Sequence, residues 1–394
     1  MTKILHTSDW HLGHVLFNYD RTEEQQHMLQ QIEQIVREQQ PATLLPCGDV
    51  HHTSQPTAPT QKMFTEAIVR MHMACPSMVM VITSGNHDSG SRHEIFSTPW
   101  KALNVYTIGT LSKEEEALDD HIVEVPGKAF VVAVPYAYER MIPDGFYQSL
   151  LDRVAARNPD GLPVVMTAHT TVRGADVTGH ENATEYTVGG VDYCEISEMG
   201  TGYDYLALGH IHHAQYVHGG DKRVRYCGTP IPVSFNEEFD HSVSMVQIDR
   251  HGDAPLLETI PIENKRPLVT LPPKGYASWE EAKQMLADFD DNKPAYIRLN
   301  VEVEDFLPVG ANAEAQQLTE HKQCRFCLIN ARRKESQAQA NKHALTVSEF
   351  KQERPLDMIK RYAEDVAFDF DEIMESLFGE VEQLLQQELN ENKN

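Results

Sequence analysis

An α/β fold built on buried sheet is predicted by three features of the chain. Short runs rich in valine, isoleucine and leucine recur between amphipathic helical stretches, and several of the runs stop at glycine. Five of them end on aspartate, asparagine or histidine. Strands alternating with helices pack as a sheet covered by helices, and polar groups at the carboxyl edge of such a sheet are where open α/β folds place their sites.

The elements follow in order. Residues 3–7 read as a strand that delivers Asp9 and His11, two positions apart and so on the same side. A helix opened by Thr22-Glu23-Glu24-Gln25, a capping-box pattern, turns Met28, Ile32, Ile35 and Val36 to one face. Residues 43–47 form the second strand, which closes on Gly48-Asp49 with His51 and His52 just beyond; a proline-rich loop and a helix through Phe64, Ile68 and Met71 follow. The third strand, 78–82, runs into Ser84-Gly85-Asn86-His87-Asp88, where glycine lets the backbone turn sharply behind a β-branched run. A helix is expected near 91–103, strands at 105–108, 122–125 and 130–134, and a helix at 146–157. The run at 164–167 ends at His169 and that at 203–208 ends at Gly209-His210-Ile211-His212. Strands at 224–227, 243–248 and 256–262 complete this part. Residues 268–275 read as a linker to a small α+β domain: helix from the Ser278 capping box to Phe289, strand 296–303, helix 313–322, strand 325–329. Helices are expected from about Thr346 and Pro355, the last carrying Ile373, Leu377, Val381 and Leu385 on one stripe.

Composition narrows the function. With 394 residues the chain can bury a large core without staples. No run approaches the roughly eighteen apolar residues of a membrane span, and the start enters a strand without a leader pattern, so a cytoplasmic protein is expected. The six cysteines are scattered and read as reduced thiols, the close pair Cys324 and Cys327 included. A net charge of −25 argues against a general electrostatic grip on nucleic acid, so an anionic substrate needs a local positive source. Arg332-Arg333-Lys334 is a small basic cluster that reads as a solvated turn or a nucleic-acid contact.

Bound cations are the stronger source. Asp9, His11, Asp49, Asn86, His169, His210 and His212 have the donor types of a two-metal centre. Carboxylate, amide oxygen and imidazole without thiolate suit Mn²⁺, with Fe²⁺ or Zn²⁺ as alternatives. Two such ions against two carboxylates leave about two positive charges for a phosphate. His87, beside a ligand but not needed as one, is placed to protonate a leaving oxygen, with Asp88 or a backbone group orienting its ring.

The set Asp9-x-His11, Gly48-Asp49, Gly85-Asn86-His87-Asp88, His169 and Gly209-His210-x-His212, in this order, resembles the five motifs of the calcineurin-like metallophosphoesterases. The stretches from Ile4 to Gly13, Ala207 to His212 and Tyr226 to Phe235 are similar to the nuclease subunits within that family, and the resemblance covers essentially the whole chain. It implies a two-sheet sandwich flanked by helices, with a nuclease domain at 1–265, a small α+β capping domain at 266–335 and a C-terminal helical segment at 336–394 that docks a partner. It also implies a Mn²⁺-dependent DNA nuclease working with an SMC-like ATPase as a homodimer within a heterotetramer. Asp9, His11 and His212 would hold one ion and Asn86, His169 and His210 the other, with Asp49 bridging. His52, three residues after Asp49, stands where some members carry a second catalytic histidine, and His51 replaces the usual phenylalanine. A phosphatase acting on small molecules or proteins is the alternative, although its pattern asks for Gly-Asn-His-Glu where this chain has Gly-Asn-His-Asp. A catalytically dead scaffold is a third reading, which the complete ligand set opposes.

Overall fold

The strand Thr2–Thr7 lies inside a six-stranded sheet, in the order Leu256–Pro261, Ser242–Ile248, Thr2–Thr7, Thr43–Pro46, Val79–Thr83, Val105–Ile108. A second six-stranded sheet runs Gln215–Tyr216, Val224–Tyr226, Tyr205–Gly209, Val164–His169, Ala129–Ala133, Ile122–Val125. This computed structural model describes residues 1–179, 193–217 and 222–334, with Leu356, Lys360 and Met374 beyond them. Met1–Arg333 forms one unit and Lys334–Asn394 a second.

Side-chain alternation explains why the strands read as unbroken apolar runs. Ile4, Val79, Val81, Val165, Tyr205 and Ala207 fill the layer between the two sheets. Their neighbours Leu5, Met80 and Ile82 face the helices Thr22–Gln39 and Ala58–Ala74, while Met166, Leu206 and Leu208 share a core with helix Phe146–Arg157. Both faces of each sheet are covered, so neither face of a central strand has reason to be polar. Within each sheet the strands with polar ends run parallel to one another, with Thr7 opposite Pro46 and Gly209 opposite His169, so their carboxyl ends gather at shared edges.

A third, all-parallel sheet has the order Leu268–Leu271, Ala295–Val303, Cys324–Arg333. Helices Trp279–Ala287 and Ala311–Thr319 cover it over a core that includes Trp279, Leu286, Ile297, Leu299 and Phe326. Tyr296 joins it to the helix Thr22–Gln39 by donating its hydroxyl to Glu24 at 2.8 Å.

Several expectations are corrected. The supposed linker is in part the strand Leu268–Leu271, whose parallel partner lies beyond an intervening helix. The helix near 91–103 is two short helices, Gly90–Glu94 and Ser97–Lys101. Thr22 does not cap its helix: Arg21 is the N-cap and Asp20 accepts the Thr22 N–H at 2.9 Å. Gln25 turns inward instead, donating to the His11 carbonyl and accepting from the Gly13 N–H, both at 3.0 Å, which braces the first ligand loop. The capping box at Ser278 and Glu281 is present. Arg332 and Arg333 end a strand rather than form a turn, and both pair with nearby carboxylates, Glu302 and Asp305. The helices expected after Thr346 fall outside the described residues. No helix among the described residues is long and apolar enough to cross a membrane.

Candidate metal centre

Four of the seven ligand residues sit on backbone that ordinary side chains seldom adopt. Asp9, His11, Asp49 and His210 have φ of 53°, 44°, 49° and 97°. Non-glycine residues in this region are uncommon and collect where surrounding structure enforces a functional geometry. Gly85 shows that enforcement: a Cβ there would stand 2.1 Å from Asp49 Oδ1 and 2.3 Å from the Asp49 nitrogen. Gly48 has φ +85°, and a Cβ would lie 2.1 Å from His169 Nδ1. The glycines of the Gly-Asp and Gly-Asn-His-Asp motifs are therefore required by close approach as well as by turning.

All seven predicted ligands converge. His11 and His212 face each other through their Nε2 atoms at 3.2 Å, with Asp9 in the same cluster. Asn86 Oδ1 lies 3.1 Å from both His169 Nε2 and His210 Nδ1. Asp49 Oδ2 lies between the two groups, 3.4 Å from His169 Nε2 and 3.8 Å from His11 Nε2.

Neighbours fix which ring nitrogen turns toward the cluster. His169 Nδ1 donates to the Cys47 carbonyl at 2.8 Å and His212 Nδ1 to Glu237 at 3.0 Å, so the Nε2 lone pairs turn inward. Burial works against a charge on His169, yet Asp49 and then Asp9 outweigh it and push its pKa up to about 9. In His212 burial likewise opposes the charge, and Glu237, Asp9 and Asp49 together raise the pKa. The acidic field that raises both values is one a divalent cation would neutralise, and nitrogen and oxygen donors without thiolate fit such an ion. His11 behaves oppositely: burial and the neighbouring imidazoles of His212, His87 and His52 hold its pKa well below the usual range, leaving a neutral donor.

The next ring of residues separates His51 from His52. Ring nitrogens of His11, His52 and His87 fall within 4.8 Å of one another, and the His52 and His87 rings stack at 5.4 Å. Burial and then His87 lower the pKa of His52 to about 4. His51 turns the other way, onto Phe64 and His93. The ring of His87 is oriented by a backbone group: Nδ1 donates to the His52 carbonyl at 3.0 Å. Asp88 takes a different part, accepting the N–H groups of Val50, His51 and Gly85 at 3.0, 2.9 and 3.0 Å and so tying two ligand loops together. Glu237 and Gln25 are not among the residues the sequence pointed to. Glu237 lies 25 residues beyond His212, just past the stretch Tyr226 to Phe235 and outside every ligand motif, and Gln25 looked like part of a helix cap. The cysteine pair Cys324 and Cys327 lies in the third sheet with free thiols.

The chain belongs to the calcineurin-like phosphoesterases, whose family model matches residues 2–214. It is thus a metal-dependent hydrolase of phosphate esters. Residues 264–367 match a second model, described as the type 5 capsule protein repressor C-terminal domain. The chain is 30% identical over 305 residues to the SbcD subunit of the SbcCD nuclease of Rhodobacter capsulatus, covering 71% of this chain and 74% of that protein. Similarity to the SbcD protein of Escherichia coli K12 is 26% over 373 residues, 88% and 90% of the two chains, and to that of Bacillus subtilis 27% over 325 residues, 77% and 80%.

Proposed function

We propose that the chain is a Mn²⁺-dependent DNA nuclease, a 3′–5′ double-strand exonuclease and single-strand or hairpin endonuclease that acts with the SbcC SMC-like ATPase in processing DNA ends. The observation that carries this reading is the position of Asp49 between two clusters of inward-turned donors, with His87 and His52 stacked beside them. Names borne by relatives that match most of their length support the choice of nuclease.

Asp9, His11 and His212 would hold one ion and Asn86, His169 and His210 the other, with Asp49 shared. When bound, the ions supply charge to hold the phosphodiester and lower the pKa of an attacking water. His87 does the proton work: with its Nδ1–H held by the His52 carbonyl, its Nε2 is the atom that gives a proton to the leaving oxygen. His52, kept neutral at pH 7 by its lowered pKa, stacks on that ring and limits its rotation. Asp88 keeps the Asp49 and Asn86 loops in register through three backbone N–H groups.

The reading assigns the nuclease to 1–265, a capping role to 266–335 and ATPase docking to 336–394, in a homodimer within a heterotetramer. With Mn²⁺ present, cleavage of plasmid DNA and of bis-p-nitrophenyl phosphate is expected, with little release from p-nitrophenyl phosphate. Hydrolysis of the monoester alone would overturn the nuclease reading in favour of a phosphatase, and light scattering of the protein mixed with SbcC checks the assembly.

A further inference from the structure

We propose that His51, Asp88 and His93 form a third cation site, apart from the two clusters around Asp49, that takes a zinc-type divalent transition ion. His51 follows the second strand while Asp88 and His93 lie close together after the third; all three side chains are at least nine-tenths buried and place their ligand atoms within 4.8 Å of one another. Asp88 Oδ1 stands 3.3 Å from His51 Nδ1 and 3.1 Å from His93 Nε2. Bonds of about 2.0–2.1 Å at tetrahedral angles put neighbouring ligand atoms about 3.3 Å apart, so these spacings are those of the edges of a zinc site.

The direction of the donors supports the same conclusion. His93 Nε2 is buried with no hydrogen-bond partner although a carboxylate oxygen is 3.1 Å away. The contact is short without the geometry of a hydrogen bond, and against the effect of burial the charge of Asp88 raises the His93 pKa, so an ion bound here would take the place of a proton held by this pair. Asp88 has the capacity to spare: Oδ2 is occupied by the Val50 and Gly85 N–H groups, while Oδ1 takes one N–H, from His51, and keeps a lone pair. A pocket of about 80 Å³ lined by both histidines and walled by Phe64, Phe96 and Trp100 lies beside them, with space for a water. Two imidazoles and one carboxylate favour zinc-type ions over manganese, so this site differs in preference from the oxygen-richer centre nearby. Its place explains what it would do. An ion on Asp88 would fix the carboxylate that ties the Asp49 and Asn86 loops together, bracing the catalytic centre from behind.

The test uses the full chain. In a His11→Ala, His169→Ala background, which weakens both catalytic clusters, Co²⁺ is expected to bind at one per chain with the intense visible bands of four- or five-coordination, and to raise the melting temperature by several degrees. Adding His93→Leu, or separately His51→Phe, should remove both effects. Failure of the background protein to take up Co²⁺, or equal uptake after His93→Leu, overturns the site and leaves Asp88 with two ordinary charged partners. Equilibrium dialysis of the otherwise unaltered protein against Zn²⁺ gives a second reading: three ions per chain are expected, and two in His93→Leu. Equal stoichiometry in both proteins overturns the proposal. Nuclease activity enters none of these measurements, so the proposal stands or falls apart from the functional reading above.

Discussion

At the scale of single residues, the centre separates groups that hold charge from groups that move protons. Asp49 touches both ligand clusters, so Asp49→Asn is expected to lower Mn²⁺ occupancy of the two catalytic positions together and to abolish cleavage. His87 meets the centre through its N–H to Asp49 and its ring to the His52 carbonyl. His87→Ala should therefore keep Mn²⁺ while losing about 10²–10⁴ in rate, the usual contribution of a placed acid. Elemental analysis beside a cleavage assay checks the pair, and loss of Mn²⁺ from His87→Ala would make that residue a ligand instead. The rings of the two adjacent histidines point to opposite sides of their loop, so His52→Ala should impair diester cleavage more than His51→Ala. Equal losses would mean that the stacked position is without consequence. Glu237 reaches the centre through His212 Nδ1, and Glu237→Gln should weaken Mn²⁺ binding by about 10–100-fold, the range for partners of ligating histidines. A titration of activity against Mn²⁺ concentration reads that shift, and an unchanged midpoint would deny Glu237 its orienting role.

At the scale of elements, loops this tightly apposed depend on glycine. Gly85→Ala would drive a methyl group into Asp49, a contact no side-chain rotation relieves because the Asp49 backbone nitrogen is also within 2.3 Å. Activity should be lost and stability should fall by about 1–3 kcal/mol, as overpacking generally costs, measured by denaturant unfolding. Wild-type activity in Gly85→Ala would show that the loops can part without harm. Such loops also mark what was legible beforehand. Strand ends at Asp9, Asp49, Asn86, His169 and His210 could be read because apolar runs buried on both faces stop sharply at the edge of the sheet. The strand Leu268–Leu271 was missed because its pairing is with Ala295–Val303, beyond a helix, and its partly exposed side chains carry no alternation. Which of His51 and His52 faces the centre depends on one residue of register in an irregular loop, and Asp88 anchoring the backbone rather than His87 depends on which way a carboxylate folds back. The offset of His52 from Asp49 pointed to the first only through the family resemblance, and no spacing encodes the second. Glu237 needed the three-dimensional return of the segment after Val233 onto His212.

At the scale of the whole molecule, every residue assigned to chemistry lies within Met1–Arg333, which leaves the later segment free for another task. The hypothesis is that the segment from Thr346 onward docks the coiled-coil base of SbcC. It rests on sequence: Ile373, Leu377, Val381 and Leu385 recur every fourth residue, a spacing that on a helix makes one apolar stripe. A stripe of this kind binds a groove mainly through a few anchors, each contributing on the order of 1–3 kcal/mol, so two charges in its middle should cost several powers of ten in affinity. Leu377→Asp with Val381→Asp is expected to abolish co-purification with SbcC while Mn²⁺-dependent cleavage of bis-p-nitrophenyl phosphate by the isolated protein continues. Unaltered complex formation would reject the docking role. A large drop in melting temperature together with lost activity would instead mean that the stripe packs against its own chain, since a change confined to an interface leaves the free protein as stable as before.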